Sequence, residues 1–404
     1  MIRALLVLIV VLYALQLFSP LRLNGDATAL LTIAESGAAG TGFLLDGQKT
    51  QFPPGYPAAV AVLLRAHVFG SATLMGLTFL CLGAGVLATY YLVRQDICEE
   101  HGFATAISFM TLLSYVVVKH ATIPLSDIPY FGVAMAGLAM LSRAAQVRER
   151  RGWLTASAWA IILVSICVRR VGVVLLPALL YVGWLGWREA RFRGKVQWLL
   201  ALGFMAPVTA WTIRNTSTLS DFSSIYREKG LANLSVELPR YRLTELGELL
   251  TNIPASKLPA AMAPVLIVAG IAAACLVAWG IALVLSTKGL RPAHVYVAGY
   301  VLTVAIWPAI NSRFWLPVIP LLFAYGGVAL KRAWAAGAVP YFCAFAIMGL
   351  FALGYSTRIS LAGSEFPLRY GNETVRPSYC AAYGSCPVEG PVDPRVVHLI
   401  AKSR

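Results

Sequence analysis

This sequence is poor in charge. Only 13% of its 404 residues are Asp, Glu, Lys or Arg, roughly half the ~25% of an ordinary soluble domain. A water-soluble globular enzyme of this size is excluded. Acidic residues are the scarcer sign, 18 against 33 Lys and Arg, for a net charge of +15. Such a surplus would suit a nucleic-acid partner in another chain. Here 58% of residues are hydrophobic and mean hydropathy is +0.72. A disordered or nucleic-acid-binding chain is therefore excluded too, and the positive charge has to be read by its position relative to a bilayer. The alternation of barrel strands is missing, which argues against a transmembrane barrel. Internal repeats, low-complexity stretches and a Gly-rich phosphate loop are missing as well.

What the sequence has is apolar length. A membrane span needs about 20 mostly apolar residues. Stretches free of Lys, Arg, Asp and Glu run Ala4–Leu21, Ala66–Val93, Gly102–Val118, Ile128–Ser142, Gly152–Val168, Val171–Trp187, Val196–Ile213, Leu258–Thr287, Pro292–Ser312, Phe314–Leu330 and Ala333–Thr357. They predict an all-α polytopic membrane protein with about eleven transmembrane helices. Arg3 followed by an apolar run resembles a signal peptide, but no small-x-small cleavage site precedes Pro20, so an uncleaved anchor is expected. With a cytoplasmic N-terminus, the short connections holding Arg94, Arg143–Arg151, Arg188–Lys195, Lys288–Arg291 and Lys331–Arg332 are all cytoplasmic and basic, as the positive-inside bias requires. The long segments then fall outside: 22–65, 214–257 and the tail 358–404. A transmembrane domain thus covers 1–357, and the C-terminus is non-cytoplasmic.

Of the seven cysteines, Cys81, Cys167, Cys275 and Cys343 lie in apolar runs and read as small hydrophobes. Cys380 and Cys386 fall together in the outside tail, where an oxidising compartment permits a disulfide. No second Cys/His pair accompanies them, so a metal site there is disfavoured.

Surviving charges in such a chain are costly and often functional, and here they gather at the outside helix ends. Asp26 stands just past the first helix, where a carboxylate can serve as a general base or, more plainly, cap the helix that follows. An amphipathic stretch runs on to Gly37. Pro53-Pro54-Gly55-Tyr56-Pro57 then predicts a stiff, extended segment. The second outside turn holds Lys119, His120 and Asp127 within nine residues. Asp127 can bind a sugar hydroxyl or a cation, or cap a helix; Lys119 or His120 can meet a phosphate. Arg169-Arg170 leaves no room for a loop, and its guanidiniums suit either lipid headgroups or bidentate phosphate contacts. Arg313 opens a further outside helix in Asn311-Ser312-Arg313-Phe314-Trp315-Leu316-Pro317.

An Asp after the first helix, a Pro-Pro-x-Tyr-Pro segment, a Pro-Leu-x-Asp-x-Pro turn and an Arg-aromatic-x-x-Pro-x-x-Pro helix occur here in one order. That order resembles the C-type (GT-C) membrane glycosyltransferases, in the branch of the bacterial protein O-mannosyltransferases and lipid A aminoarabinose transferases. The match covers about the first 145 residues and, more loosely, Arg313–Pro320. The resemblance implies a GT-C-like fold in the bacterial inner membrane and a sugar moved from a polyprenyl phosphate to a lipid, glycan or protein acceptor on the non-cytoplasmic face. It implies Asp26 as the catalytic base and Asp127 as a second catalytic acid. Gln51 and Tyr56 become walls of the first-loop cavity, and Arg313 a donor-phosphate ligand. Arg169 and Arg170 join that phosphate site on charge alone, with Lys119 or His120 able to meet the same phosphate. No cofactor is obligatory, and a divalent cation between the two aspartates is left open. Two departures stand out: Ala27 replaces a second acid that many members carry after the Asp, and the tail is too short for the soluble domain of some members. A lipid-linked-glycan transporter, a whole-glycan ligase and a non-catalytic homologue are the competing readings; against the transporter, mid-helix charges and an inverted repeat are both missing.

Overall fold

The structure is a computed structural model describing residues 2–50, 52–147, 151–190, 192–216, 231–370 and 375–404. It is helical almost throughout. In chain order the helices are α1 (Ile2–Leu15), α2 (Gly25–Ala38), α3 (Gly55–Arg65), α4 (Ser71–Leu92), α5 (His101–Leu113), α6 (Tyr115–His120), α7 (Asp127–Gln146), α8 (Arg151–Val168), α9 (Leu176–Glu189), α10 (Phe192–Thr216), α11 (Leu231–Thr251), α12 (Ala263–Lys288), α13 (Pro292–Ile306), α14 (Ile319–Ala333), α15 (Ala335–Ser360), α16 (Phe366–Arg369), α17 (Arg376–Tyr383) and α18 (Pro394–Ser403). Among the described residues, the only sheet is a two-residue hairpin, Leu44–Leu45 with Gln48–Lys49.

Every one of the eleven apolar stretches lies on a helix, but they are not eleven full spans. Among the described residues, seven helical segments are long and apolar enough to cross a bilayer, and the chain is a multi-pass membrane protein. Local chemistry shortens the others. The stretch Gly102–Val118 breaks at Ser114 (φ −61°, ψ 127°), where the Asn252 side chain takes over the freed backbone groups. Its Oδ1 accepts from the Tyr115 amide at 2.7 Å and its Nδ2 donates to the Leu113 carbonyl at 3.0 Å. The stretch Pro292–Ser312 stops being helical at Trp307, extended ahead of Pro308. The helix predicted from Phe314 begins only at Ile319, beyond Pro317.

At the centre is α7, whose Tyr130, Phe131, Ala134, Met135, Leu138 and Leu141 are all fully buried. A helix apolar on every side belongs inside a bundle. It packs between α4 and α8, and Gly132 lets its backbone meet the Cys81 carbonyl of α4, where a Cβ would collide. Because successive helices reverse direction, polar groups collect at two ends. One end holds the Lys288–Glu99 (3.2 Å), Lys331–Glu100 (2.5 Å) and Arg151–Glu189 (3.0 Å) ion pairs. The other gathers the end of α1 and the starts of α2, α4 and α7. It also takes the ends of α6, α8 and α15 and the 3-10 turn Ser312–Trp315 before α14.

Candidate active site

The second end is built around two acid–arginine pairs. Asp26 lies in the first turn of α2 and is ion-paired through Oδ2 with Nη2 of Arg313, 287 residues later in the chain. Asp127 opens α7 and is paired through Oδ1 with Nη1 of Arg169, the residue between α8 and the 3-10 turn Arg170–Leu175. Phe314 stands between the pairs, with the Arg313 and Arg169 guanidiniums 5.3 and 6.0 Å from its ring centroid. Around a carboxylate of each pair is a guanidinium suited to a planar anion.

Neither aspartate caps its helix through its side chain. Asn24 caps α2, its carbonyl oxygen accepting from the Ala27 amide at 2.8 Å. At α7 the N-cap residue is Ser126, with no side-chain cap bond. Of the alternatives open for each aspartate, the side-chain cap is not the one adopted, and both carboxylates turn to arginines instead. Their surroundings differ. The Asp26 side chain is 39% exposed and that of Arg313 16%, whereas Asp127 is 3% exposed and Arg169 18%.

The remaining sequence-predicted residues fall as follows. Lys119, at the end of α6, is exposed and has no ion pair or hydrogen bond among the described residues. His120 is buried beside it, its Nδ1–H donating to the Val116 carbonyl at 2.7 Å. Burial pushes His120 down to about 4, outweighing the nearby Asp127 carboxylate. His120 is therefore neutral at pH 7, and its Nδ1–H is already engaged by the Val116 carbonyl. It also feels Lys119 and Arg313, which places all three at one wall. Arg170 follows Arg169 into the 3-10 turn and is half-buried; the contact with Asp127 comes from Arg169.

Tyr56 is buried in the first turn of α3, a helix that packs on α2 and α8. The Pro-Pro-Gly-Tyr-Pro run does not stay extended; it starts that helix, because prolines in a first turn forfeit no helical hydrogen bond. Gly55 is required there: a Cβ would come within 2.6 Å of the Cys167 carbonyl group. Gln51 lies outside the described residues. Cys380 and Cys386 are joined in the tail.

Three groups that the sequence did not single out shape the site. Glu245 and Glu248 of α11 reach the 3-10 turn that carries Arg313. The Trp315 indole donates to Glu245 at 2.8 Å, and the Tyr115 hydroxyl bridges Glu248 (2.6 Å) and Ser312 (3.0 Å). Arg22, also unforeseen, is almost fully buried with no acid partner among the described residues; burial lowers it to about 10, so it stays cationic at pH 7. It donates to the Ser356 carbonyl (2.8 Å) and to Ser360 (2.7 Å), Thr122 (3.1 Å), Ser356 (3.2 Å) and Ser19 (3.2 Å) hydroxyls. A lone Arg in a run of Leu gave no signal of this.

Each aspartate is already neutralised by an arginine, and no three His, Cys, Asp or Glu side chains converge among the described residues.

No protein-family model matches the sequence, and no curated protein matches it. Solved structures do. ArnT from Cupriavidus metallidurans bound to undecaprenyl phosphate aligns over 99% of this chain and 74% of its own, with TM-score 0.53 and 15% identity. The apo state of the same protein aligns over 99% and 73%, with TM-score 0.53 and 14% identity. The Archaeoglobus fulgidus oligosaccharyltransferase in complex with Zn and sulfate aligns over 98% of this chain but only 61% of its own, with TM-score 0.51 and 12% identity. The chain has the fold of these proteins, the GT-C-like architecture that the motif order implies.

Proposed function

We propose that this chain is an integral-membrane glycosyltransferase that moves a sugar from a polyprenyl-phosphate donor to an acceptor at the end of the bundle holding Asp26. One observation carries the proposal: an accessible carboxylate and a guanidinium from distant parts of the sequence meet at that end, in the fold of an ArnT structure bound to undecaprenyl phosphate. The polar cluster faces one bilayer surface, where a lipid headgroup would lie.

Asp26 accepts the proton of the acceptor hydroxyl or amine. The freed lone pair attacks the anomeric carbon while the carbon–oxygen bond to the lipid phosphate breaks, and the phosphate leaves with the bonding electrons. Attack opposite the leaving group inverts the anomeric centre. Arg313 has a buried Nε with no partner among the described residues, and Lys119 has an unoccupied ammonium; both can hold the departing phosphate. Preorganised donors of this sort contribute about 10²–10³ in rate. The donor phosphate competes with Asp26 for Arg313, so donor binding releases the base. Asp127 and Arg169 position the wall, and His120 stays a neutral part of it. The short basic loops support an outside C-terminus, and the resemblance of the motif order supports a bacterial inner-membrane location.

The test is transfer from a radiolabelled polyprenyl-phosphate sugar in membranes containing the protein, with mass spectrometry for copurified prenyl phosphate. Wild type should release prenyl phosphate and label an acceptor, and Asp26→Asn should not. Movement of intact labelled lipid across liposomes without transfer would overturn the proposal in favour of a transporter.

A further inference from the structure

Residues 21–24, which lead from α1 into the helix bearing Asp26, have no regular secondary structure, yet Leu21, Arg22 and Leu23 are buried. Buried backbone groups outside helices need partners, and the C-terminal tail supplies them. The Tyr379 hydroxyl donates to the Leu21 carbonyl at 2.8 Å and accepts from the Leu23 amide at 2.7 Å. The Tyr370 hydroxyl donates to the Leu23 carbonyl at 3.1 Å. Both rings are fixed in turn. Phe366 stacks on Tyr370 at 5.1 Å and meets Tyr379 edge-on at 5.6 Å, and Tyr370 meets Tyr379 at 5.5 Å. Tyr379 is fully buried and precedes the bonded Cys380.

The tail also grips the far end of α2. Helix α18 buries Val396, Leu399 and Ile400, while Lys402 (2.6 Å) and His398 (3.0 Å) reach Glu35. The helix carrying Asp26 is thus held at both ends by one segment remote in sequence. Asp26 is only three residues past Leu23, so a shift of that backbone moves its carboxylate directly.

We infer that residues 366–370 and 375–404 act as a clamp that sets the position of Asp26, with Tyr379 as the positioning residue. This rests on the proposed role of Asp26 as base. The test uses the full chain carrying Tyr379→Phe, which keeps the ring and removes both backbone contacts. Amide exchange of residues 21–28 should quicken about tenfold or more. Turnover should fall about tenfold with the donor KM within about twofold of wild type, because Arg313 and Lys119 are untouched. Tyr370→Phe, which loses one longer bond, should show the same pattern more weakly. Wild-type exchange of residues 21–28 in Tyr379→Phe would overturn the clamp, as would a raised donor KM with unchanged turnover. The exchange measurement needs no substrate. A wild-type protein that transfers no sugar therefore sinks the reading of Asp26, while the clamp is judged on exchange alone.

Discussion

The two acid–arginine pairs are alike in chemistry and unlike in setting. Asp26–Arg313 joins the start of α2 to the turn before α14 with its carboxylate 39% exposed; Asp127–Arg169 joins α7 to the end of α8 with its carboxylate 3% exposed. An exposed pair of this kind contributes little to stability, typically 0–1 kcal/mol. Its groups are free to exchange partners with a ligand. In the other pair the carboxylate is desolvated and depends on its arginine, so the pair fixes the junction of two helices. The exposed carboxylate has the access and the interchangeable partner that the proposed catalysis requires.

Breaking the accessible pair at its acid should have the largest effect. Asp26→Asn should lower turnover by about 10²–10⁴, the range of a lost general base, and leave the unfolding midpoint nearly unchanged. Equal losses of activity and stability would erase the distinction between the pairs. Asp127→Ala should do the reverse. It leaves Arg169 buried and uncompensated, which costs about 3–5 kcal/mol, seen as a lower midpoint, while turnover per folded molecule drops less than for Asp26→Asn. Adding Arg169→Met should restore most of that stability. Arg313→Ala should cost about 10²–10³ in transfer and raise the donor KM; unchanged kinetics would remove Arg313 from the phosphate site.

The smallest effect concerns pH. His120 titrates at about 4 in the fold against 6.5 ordinarily. The unfolded chain therefore takes up the proton first, and stability present above about pH 6.5 is lost as pH falls toward 4. Thermal midpoints of His120→Gln should decline less than wild type across that window.

Much of the architecture was legible because it depends on local composition. Each charge-free stretch marks a helix, but the early ends at Ser114 and Trp307 and the late start beyond Pro317 were not read from it. The shortening at Ser114 was less visible, since it depends on Asn252 occupying the break. Site residues were legible as types, not as roles. Asn24 and Asp26 are both good caps, and the extended backbone of Asn24 (φ −133°, ψ 177°) gives it the cap and leaves Asp26 free. The burial of His120 was not legible from a His between Lys and Ala. The tail was legible only as too short for the soluble domain of some members, and its tyrosines' hold on the backbone before Asp26 was not.

The sequence by itself determined the solvent and the secondary structure. So few charges on so many apolar residues can be stable only across a bilayer, where each span must satisfy its own backbone as a helix. It also set the order of the polar turns along the chain. The tertiary structure alone decided which acid meets which arginine, across 287 residues in one pair and 42 in the other. It alone decided that one pair is open and the other closed. Those outcomes rest on packing between distant helices and on the desolvation it imposes, and neither is a property of any local stretch of sequence.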